Sequence, residues 1–309
     1  MIESPLDILE NHEIRKTKVQ KENFRTDVLA YFHRHGYQTR VEEGSFHCRN
    51  ILAGDPDKAK FLITAHYDTP AGMIVPNFIT PCNLLLYLLW QIAVVVLFII
   101  LAVIPGVLAA LLTSNDGIAV FVTYVSYFLL LFIMLFGPAN RHNANDNTSG
   151  VVTALEIAKS LPESLRDQVC FVLFDMEELG LIGSASHRKA HKAATETQLV
   201  LNLDCVGEGD EILFFPTKKL KKMDATIGCL QIATGSFGQK RIYVRTKGFS
   251  VYPSDQRNFP LGVGIAAFKR SKAGLYLDKI HTRKDTTLDQ TNVNLLRAAI
   301  ISVVSNAAQ

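Results

Sequence analysis

The chain has 309 residues, enough to bury a full core as one large domain or two smaller ones. Hydrophobic residues make up 48%, and the excess over an ordinary soluble protein is concentrated in residues 84–136. A formal net charge of +3 gives no support to a nucleic-acid partner.

In chain order, the N-terminal residues Met1 to Pro5 are acidic and lack an apolar run, so no cleavable signal peptide is expected. Residues 14–34 predict a helix and residues 38–52 a strand pair. Residues 60–65 form a short apolar run ending at a polar site, as a buried strand would. From 84 to 112 there is no charged residue, and Gln91 is the only strongly polar side chain. Residues 118–136 form a second uncharged run. At 1.5 Å per helical residue, a run of this length spans roughly 30 Å, about the hydrocarbon thickness of a bilayer. The link between them, Thr113 to Gly117, is short and polar, and Pro105-Gly106 is a candidate kink. A transmembrane hairpin is the reading, because core helices rarely reach such lengths without a charge. Its tight turn carries Asp116 and no Lys or Arg, whereas Arg141 follows the second run. The positive-inside tendency then places both chain ends, and the domain they build, in the cytosol.

Beyond the hairpin, residues 147–161 have helical spacing with Pro162 after them, and 168–174 and 198–203 are strand candidates. Residues 223–234 look helical, 263–268 strand-like, and 293–307 form a closing helix. The Lys218, Lys219, Lys221 and Lys222 cluster reads as a solvated helix face, as do His187 and His191, which stand four apart without a metalloprotease glutamate. Cys48, Cys82, Cys170, Cys205 and Cys229 are odd in number and without CxxC spacing, which fits reduced thiols. The alternation of helix and strand predicts an α/β fold with a mixed, mainly parallel sheet flanked by helices. The expected organisation is a catalytic domain in two parts, 1–80 and 138–309, with the hairpin inserted at 81–137.

Five places set acids or imidazoles at the end of a predicted strand or the start of a helix or loop. His66 and Asp68 share one face of a strand, so the carboxylate could fix the tautomer of a metal-bound imidazole. Asp146 opens a helix. Glu177 and Glu178 are adjacent and point apart, so one could bind a cation while the other takes a proton from water. Asp204 follows an apolar run, and His281 supplies a second imidazole.

That order resembles the M28 family of zinc metallopeptidases, which contains bacterial leucyl aminopeptidases and glutamate carboxypeptidases. The matching pieces are HYD at 66–68, DNTSG at 146–150, EELGLIGS at 177–184, LD at 203–204, SD at 254–255 and HTRKDT at 281–286. The resemblance implies two zinc ions: His66 and Asp204 on one, Glu178 and His281 on the other, Asp146 bridging. It implies Glu177 as general base, Asp68 as the group that orients His66, and a zinc-dependent exopeptidase fold acting on peptides. Gln256 stands where many relatives have histidine, and Asn143 replaces a glycine often found before the bridging aspartate. Tyr252 is a candidate oxyanion donor, and Arg257 a candidate holder of a substrate carboxylate. An aminopeptidase is the leading expectation. A carboxypeptidase, a glutaminyl-cyclase-like acyltransferase and a non-catalytic membrane receptor are the alternatives.

Phe136 stands ten residues before Asp146, which keeps that ligand within roughly 35 Å of the bilayer interface. The active-site mouth is therefore expected to border the membrane, and the substrates to be short, apolar peptides.

Overall fold

The computed structural model describes residues 2–73 and 75–307. Its strands are β1 (Thr39–Glu43), β2 (Arg49–Ala53), β3 (Phe61–His66), β4 (Val169–Phe174), β5 (Leu199–Leu203), β6 (Glu211–Pro216), β7 (Gly235–Phe237), β8 (Lys240–Val244), β9 (Gly262–Ser271) and β10 (Gly274–Tyr276). Its helices are α1 (Asp7–Asn11), α2 (Lys18–Arg34), α3 (Leu84–Thr113), α4 (Asp116–Phe136), α5 (Gly150–Ser160), α6 (Ile182–Ala190), α7 (Lys192–Thr195), α8 (Asp224–Gln231) and α9 (Gln290–Ala307).

The strands form one sheet in the order β1-β2-β4-β3-β5-β9-β6-β8-β7, with β10 paired to β9. The centre, β4-β3-β5-β9, is parallel, while β1, β2 and β6 join antiparallel at its flanks. Strand β3 reads as a continuous apolar run because both of its faces are covered. Phe61, Ile63 and Ala65 pack under α2, α5 and α9, and Leu62 packs on the opposite face with Val172 and Phe174.

Two helices start later than the apolar spacing predicts, each for a local reason. Helix α2 begins at Lys18 because Thr17 and Gln20 close a capping box. That frees Arg15 to turn inward, where its guanidinium donates to the Tyr67 carbonyl at 2.5 Å and to Thr148 at 3.0 Å. Helix α5 begins at Gly150, preceded by a wider turn, Ala144–Ser149, in which Asp146 and Asn147 leave helical geometry. A Cβ at Gly150 would meet the Leu203 carbonyl at 2.4 Å, so a side chain there would push the helix off the sheet.

Helices α3 and α4 are long and apolar enough to cross a membrane. Few of their residues are buried, unlike those of a core helix. Helix α3 continues through Pro105. They cross at Ala102 and Gly106, the small residues that allow close approach: a Cβ at Gly106 would lie 2.0 Å from Thr123 Oγ1. The ends of the hairpin are pinned together, since Ala71 bridges Ala139, Gly72 N donates to the Pro138 carbonyl and Asn140 N to the Pro70 carbonyl, both at 2.9 Å. The five cysteines are free thiols.

Candidate metal centre

Parallel pairing aligns the C-terminal ends of the central strands, which is where open α/β sheets place their sites. His66 ends β3 opposite Phe174 of β4, and Glu177 and Glu178 follow β4 directly. Asp204 follows β5, its amide held by the Ile265 carbonyl of β9. Asp146 comes from the wide turn before α5. His281 lies beyond β10 in left-handed backbone, φ +63°, and its carbonyl accepts from Met73 N.

The five predicted ligands converge. The two carboxylate oxygens of Asp146 face different imidazoles: Oδ1 lies 3.2 Å from His66 Nε2, and Oδ2 lies 3.1 Å from His281 Nε2. Asp204 Oδ1 is 3.8 Å from His66 Nε2, and Glu178 Oε2 is 3.4 Å from His281 Nε2. Two donor sets of three therefore share Asp146: His66, Asp146 and Asp204 on one side, Glu178, Asp146 and His281 on the other. Glu177 brings a carboxylate beside His66 and Glu178.

A layer of buried groups holds these side chains. Asp68 lies 3.5 Å from His66 Nδ1 and accepts the amides of Glu177 and Glu178 at 3.0 and 3.2 Å, so it ties β3 to the loop after β4. Asp285 accepts the amides of Asn145 and Asp146 at 2.9 and 3.0 Å, one on each oxygen. Asn147 donates to the Leu203 carbonyl at 2.9 Å, fixing the wide turn to the end of β5. Arg15 and Asp285 were missed as functional residues. Nothing in the pattern around Arg15 separates it from a surface arginine, whereas Asp285 stands inside the HTRKDT run and was legible there.

The electrostatics show buried anions in excess. Burial raises Glu177 well above the usual carboxylate range; His66 opposes this, and Glu178 and Asp255 reinforce it. Burial, with Asp146 beside it, pushes Glu178 up to about 8 against the pull of His281. Burial disfavours a charged His281, yet Glu178 and Asp146 hold it at about 9. Asp204 Oδ1 and Glu178 Oε1 are buried without a hydrogen-bond partner among the described residues. Two imidazoles and three carboxylates with orphaned oxygens are a donor set that fits divalent cations of the zinc type.

Other sequence expectations meet the structure differently. Tyr252 donates its hydroxyl to the Asp204 carbonyl at 3.0 Å and stacks on Phe215, so it supports the loop after β5 rather than facing an oxyanion. Arg257 is exposed and lies outside the two cavities at the ligands. Asp255 is buried with neither oxygen hydrogen-bonded among the described residues. The reading of His187 and His191 as a solvated face is overturned. His187 is fully buried beside Phe174 and Phe259, and both imidazoles engage Glu42 of β1, at 2.9 and 2.7 Å. The expectation failed because the β1–β2 hairpin folds over this face of α6, a long-range contact that helical spacing does not encode.

Two cavities open beside Glu178, and both are walled by the hairpin. One, of about 610 Å³, is lined by Lys16, Asp68, Leu135, Phe136 and Glu178. The other, of about 200 Å³, reaches both Glu178 and His281 and is bounded by Trp90, Gln91, Val94 and Met134.

Comparison with known proteins places these features. The model of Peptidase family M28 matches residues 132–304. A glutaminyl cyclase from Porphyromonas gingivalis superposes with a TM-score of 0.61 at 16% identity, over 98% of this chain and 96% of that one. A leucine aminopeptidase precursor from Bacteroides thetaiotaomicron gives 0.58 at 13% identity, over 98% and 95%. The LapA aminopeptidase of Legionella pneumophila gives 0.57 at 12% identity, over 98% of this chain and 70% of that one. These likenesses establish the fold. No curated relative matches the chain by sequence.

Proposed function

We propose, from the premise that this chain belongs to peptidase family M28, that it is a membrane-anchored two-zinc exopeptidase, an aminopeptidase. The observation that carries the reading is Asp146, whose two oxygens each face a separate imidazole, at 3.2 and 3.1 Å. One cation would be held by His66, Asp146 and Asp204, the other by Glu178, Asp146 and His281. Bound there, the pair would supply Lewis acidity to a scissile carbonyl and lower the pKa of a water. Asp68 keeps the His66 ring in orientation and holds the Glu177–Glu178 loop in place. Glu177, whose carboxylate lies beside His66 and Glu178, takes the proton of the attacking water and returns it to the leaving amine nitrogen.

Residues 81–137 are read as an insertion that crosses the bilayer twice, with residues 1–80 and 138–309 building one catalytic domain on the cytosolic side. The metal ligands would then sit at the membrane border and act on apolar peptides that reach it there. Preference for amino- over carboxypeptidase rests on family resemblance. Digestion of matched peptides with free and blocked N-termini by the detergent-solubilised protein tests it. Release of the first residue from the free peptide alone is expected. Cleavage from the blocked peptide at its C-terminus would make the enzyme a carboxypeptidase. Conversion of N-terminal glutamine to its cyclic lactam with loss of ammonia would make it a cyclase. Processing of neither peptide would leave a binding protein.

A further inference from the structure

The chain has one tryptophan, Trp90, and α3 carries one strongly polar side chain before its C-terminal turn, Gln91. Both line the same 200 Å³ cavity, together with Val94 one turn on, Met134 of α4, Glu178 and His281. Trp90, Gln91 and Val94 share one face of α3. On this helix the neighbouring Ile92, Val95 and Val96 are about half exposed, at 58%, 50% and 47%. The cavity face is therefore the side of the hairpin turned from lipid toward the metal ligands. An amide in a membrane-spanning helix is costly unless it faces a polar partner or a cavity. Gln91 avoids that cost by facing the cavity. Phe78 packs edge-on against Trp90, with ring centroids 5.5 Å apart, and fixes the indole as a wall.

We propose that this cavity is the subsite for the side chain of the substrate's terminal residue, and that it selects an apolar one. Apart from Asn77, Gln91, Glu178 and His281 the lining is apolar, and the volume suits one aliphatic or aromatic side chain. Glu178 and His281 in the lining place the cavity beside the centre that would act on the adjoining peptide bond. Gln91 supplies a hydrogen bond to the backbone of that same residue. The hairpin is thus part of the recognition site as well as an anchor. This inference rests on the exopeptidase reading for its biological meaning, yet binding at the subsite can be measured without turnover.

Trp90 is a built-in probe. Leucinol and ethanolamine, two amino alcohols that differ only by the isobutyl side chain, would be titrated into the full-length, metal-loaded protein in detergent while tryptophan emission is read. Leucinol is expected to change the emission saturably, at a concentration at least tenfold below any response to ethanolamine. Val94→Phe, which fills the cavity, should weaken the leucinol response about tenfold or more, as loss of apolar pocket space does. Val96→Phe, on the lipid side of the same helix, should not. Val94→Ala guards against misfolding of the larger variant, and should raise the ratio of kcat/KM for N-terminal Phe over Leu. Equal responses to both amino alcohols, silence to both, or a response untouched by Val94→Phe would overturn the subsite. If leucinol binds selectively while no free peptide is cleaved, the exopeptidase reading fails and the apolar subsite stands.

Discussion

At the scale of single residues, the centre depends on side chains that touch no substrate. Asp146 can face two imidazoles because Asp285 grips the amides of Asn145 and Asp146 on its two oxygens. Outer partners of this kind typically change metal affinity by about 10–100-fold when removed. Asp285→Ala is therefore expected to weaken zinc retention by about that factor in a chelator competition, and Asp285→Asn, which keeps one acceptor, should fall between it and the wild type. Unchanged retention in both would remove Asp285 from the account. That the five candidate ligands come together was legible, because acids and histidines punctuate the ends of apolar runs in a fixed order. Arg15 was not, and although Asn147 and Asp285 stand inside the DNTSG and HTRKDT runs, the backbone contacts that they make were not. Their partners are backbone carbonyls and amides about 50 to 140 positions away, and nothing local marks them.

At the scale of elements, the edge hairpin β1–β2 is held to α6 by Glu42, whose carboxylate receives both His187 and His191. Burial alone would raise Glu42, but His187 and His191, with Asn50, hold it down at about 2 from the ordinary 4.5. A depressed acid stabilises the fold above its unfolded value and loses that contribution as pH falls through the folded one. The clasp should therefore be complete above pH 4.5 and lost between there and about pH 2. Glu42→Gln is expected to cost about 1–3 kcal/mol in neutral denaturant unfolding, with the gap to wild type closing below pH 4.5. A gap that stays constant across that window would show that the contact is not ionic. The strands read from apolar runs at 60–65, 168–174 and 198–203 were found to within a residue, because burial on both faces leaves a clear pattern, whereas β9 runs three residues past the expected 268. Strands β6, β7, β8 and β10 were not read: β6 is itself a buried apolar run that was overlooked, while β7, β8 and β10 are short or mixed runs that take their state from the neighbours they pair with.

At the scale of the molecule, the hairpin leaves the chain after β3 and returns before α5, yet β3 pairs directly with β4 and β5. The sheet does not need the hairpin to close, and the bridge of Ala71 to Ala139 already pins its two ends. Replacing residues 84–136 by a short Gly/Ser loop is expected to release the protein from membranes, leave zinc binding intact and abolish the preference for apolar terminal residues. A soluble variant that kept full selectivity on apolar peptides would contradict any recognition role for the hairpin. The central claim, a two-zinc peptidase with Glu177 as its base, is tested most directly by Glu177→Gln. Metal content and peptide hydrolysis would be measured on the same purified sample. The account predicts two zinc ions per chain in both proteins and a turnover lower by about 10²–10⁴-fold in the variant. Hydrolysis at the wild-type rate, or a single zinc per chain in the wild type, would contradict it.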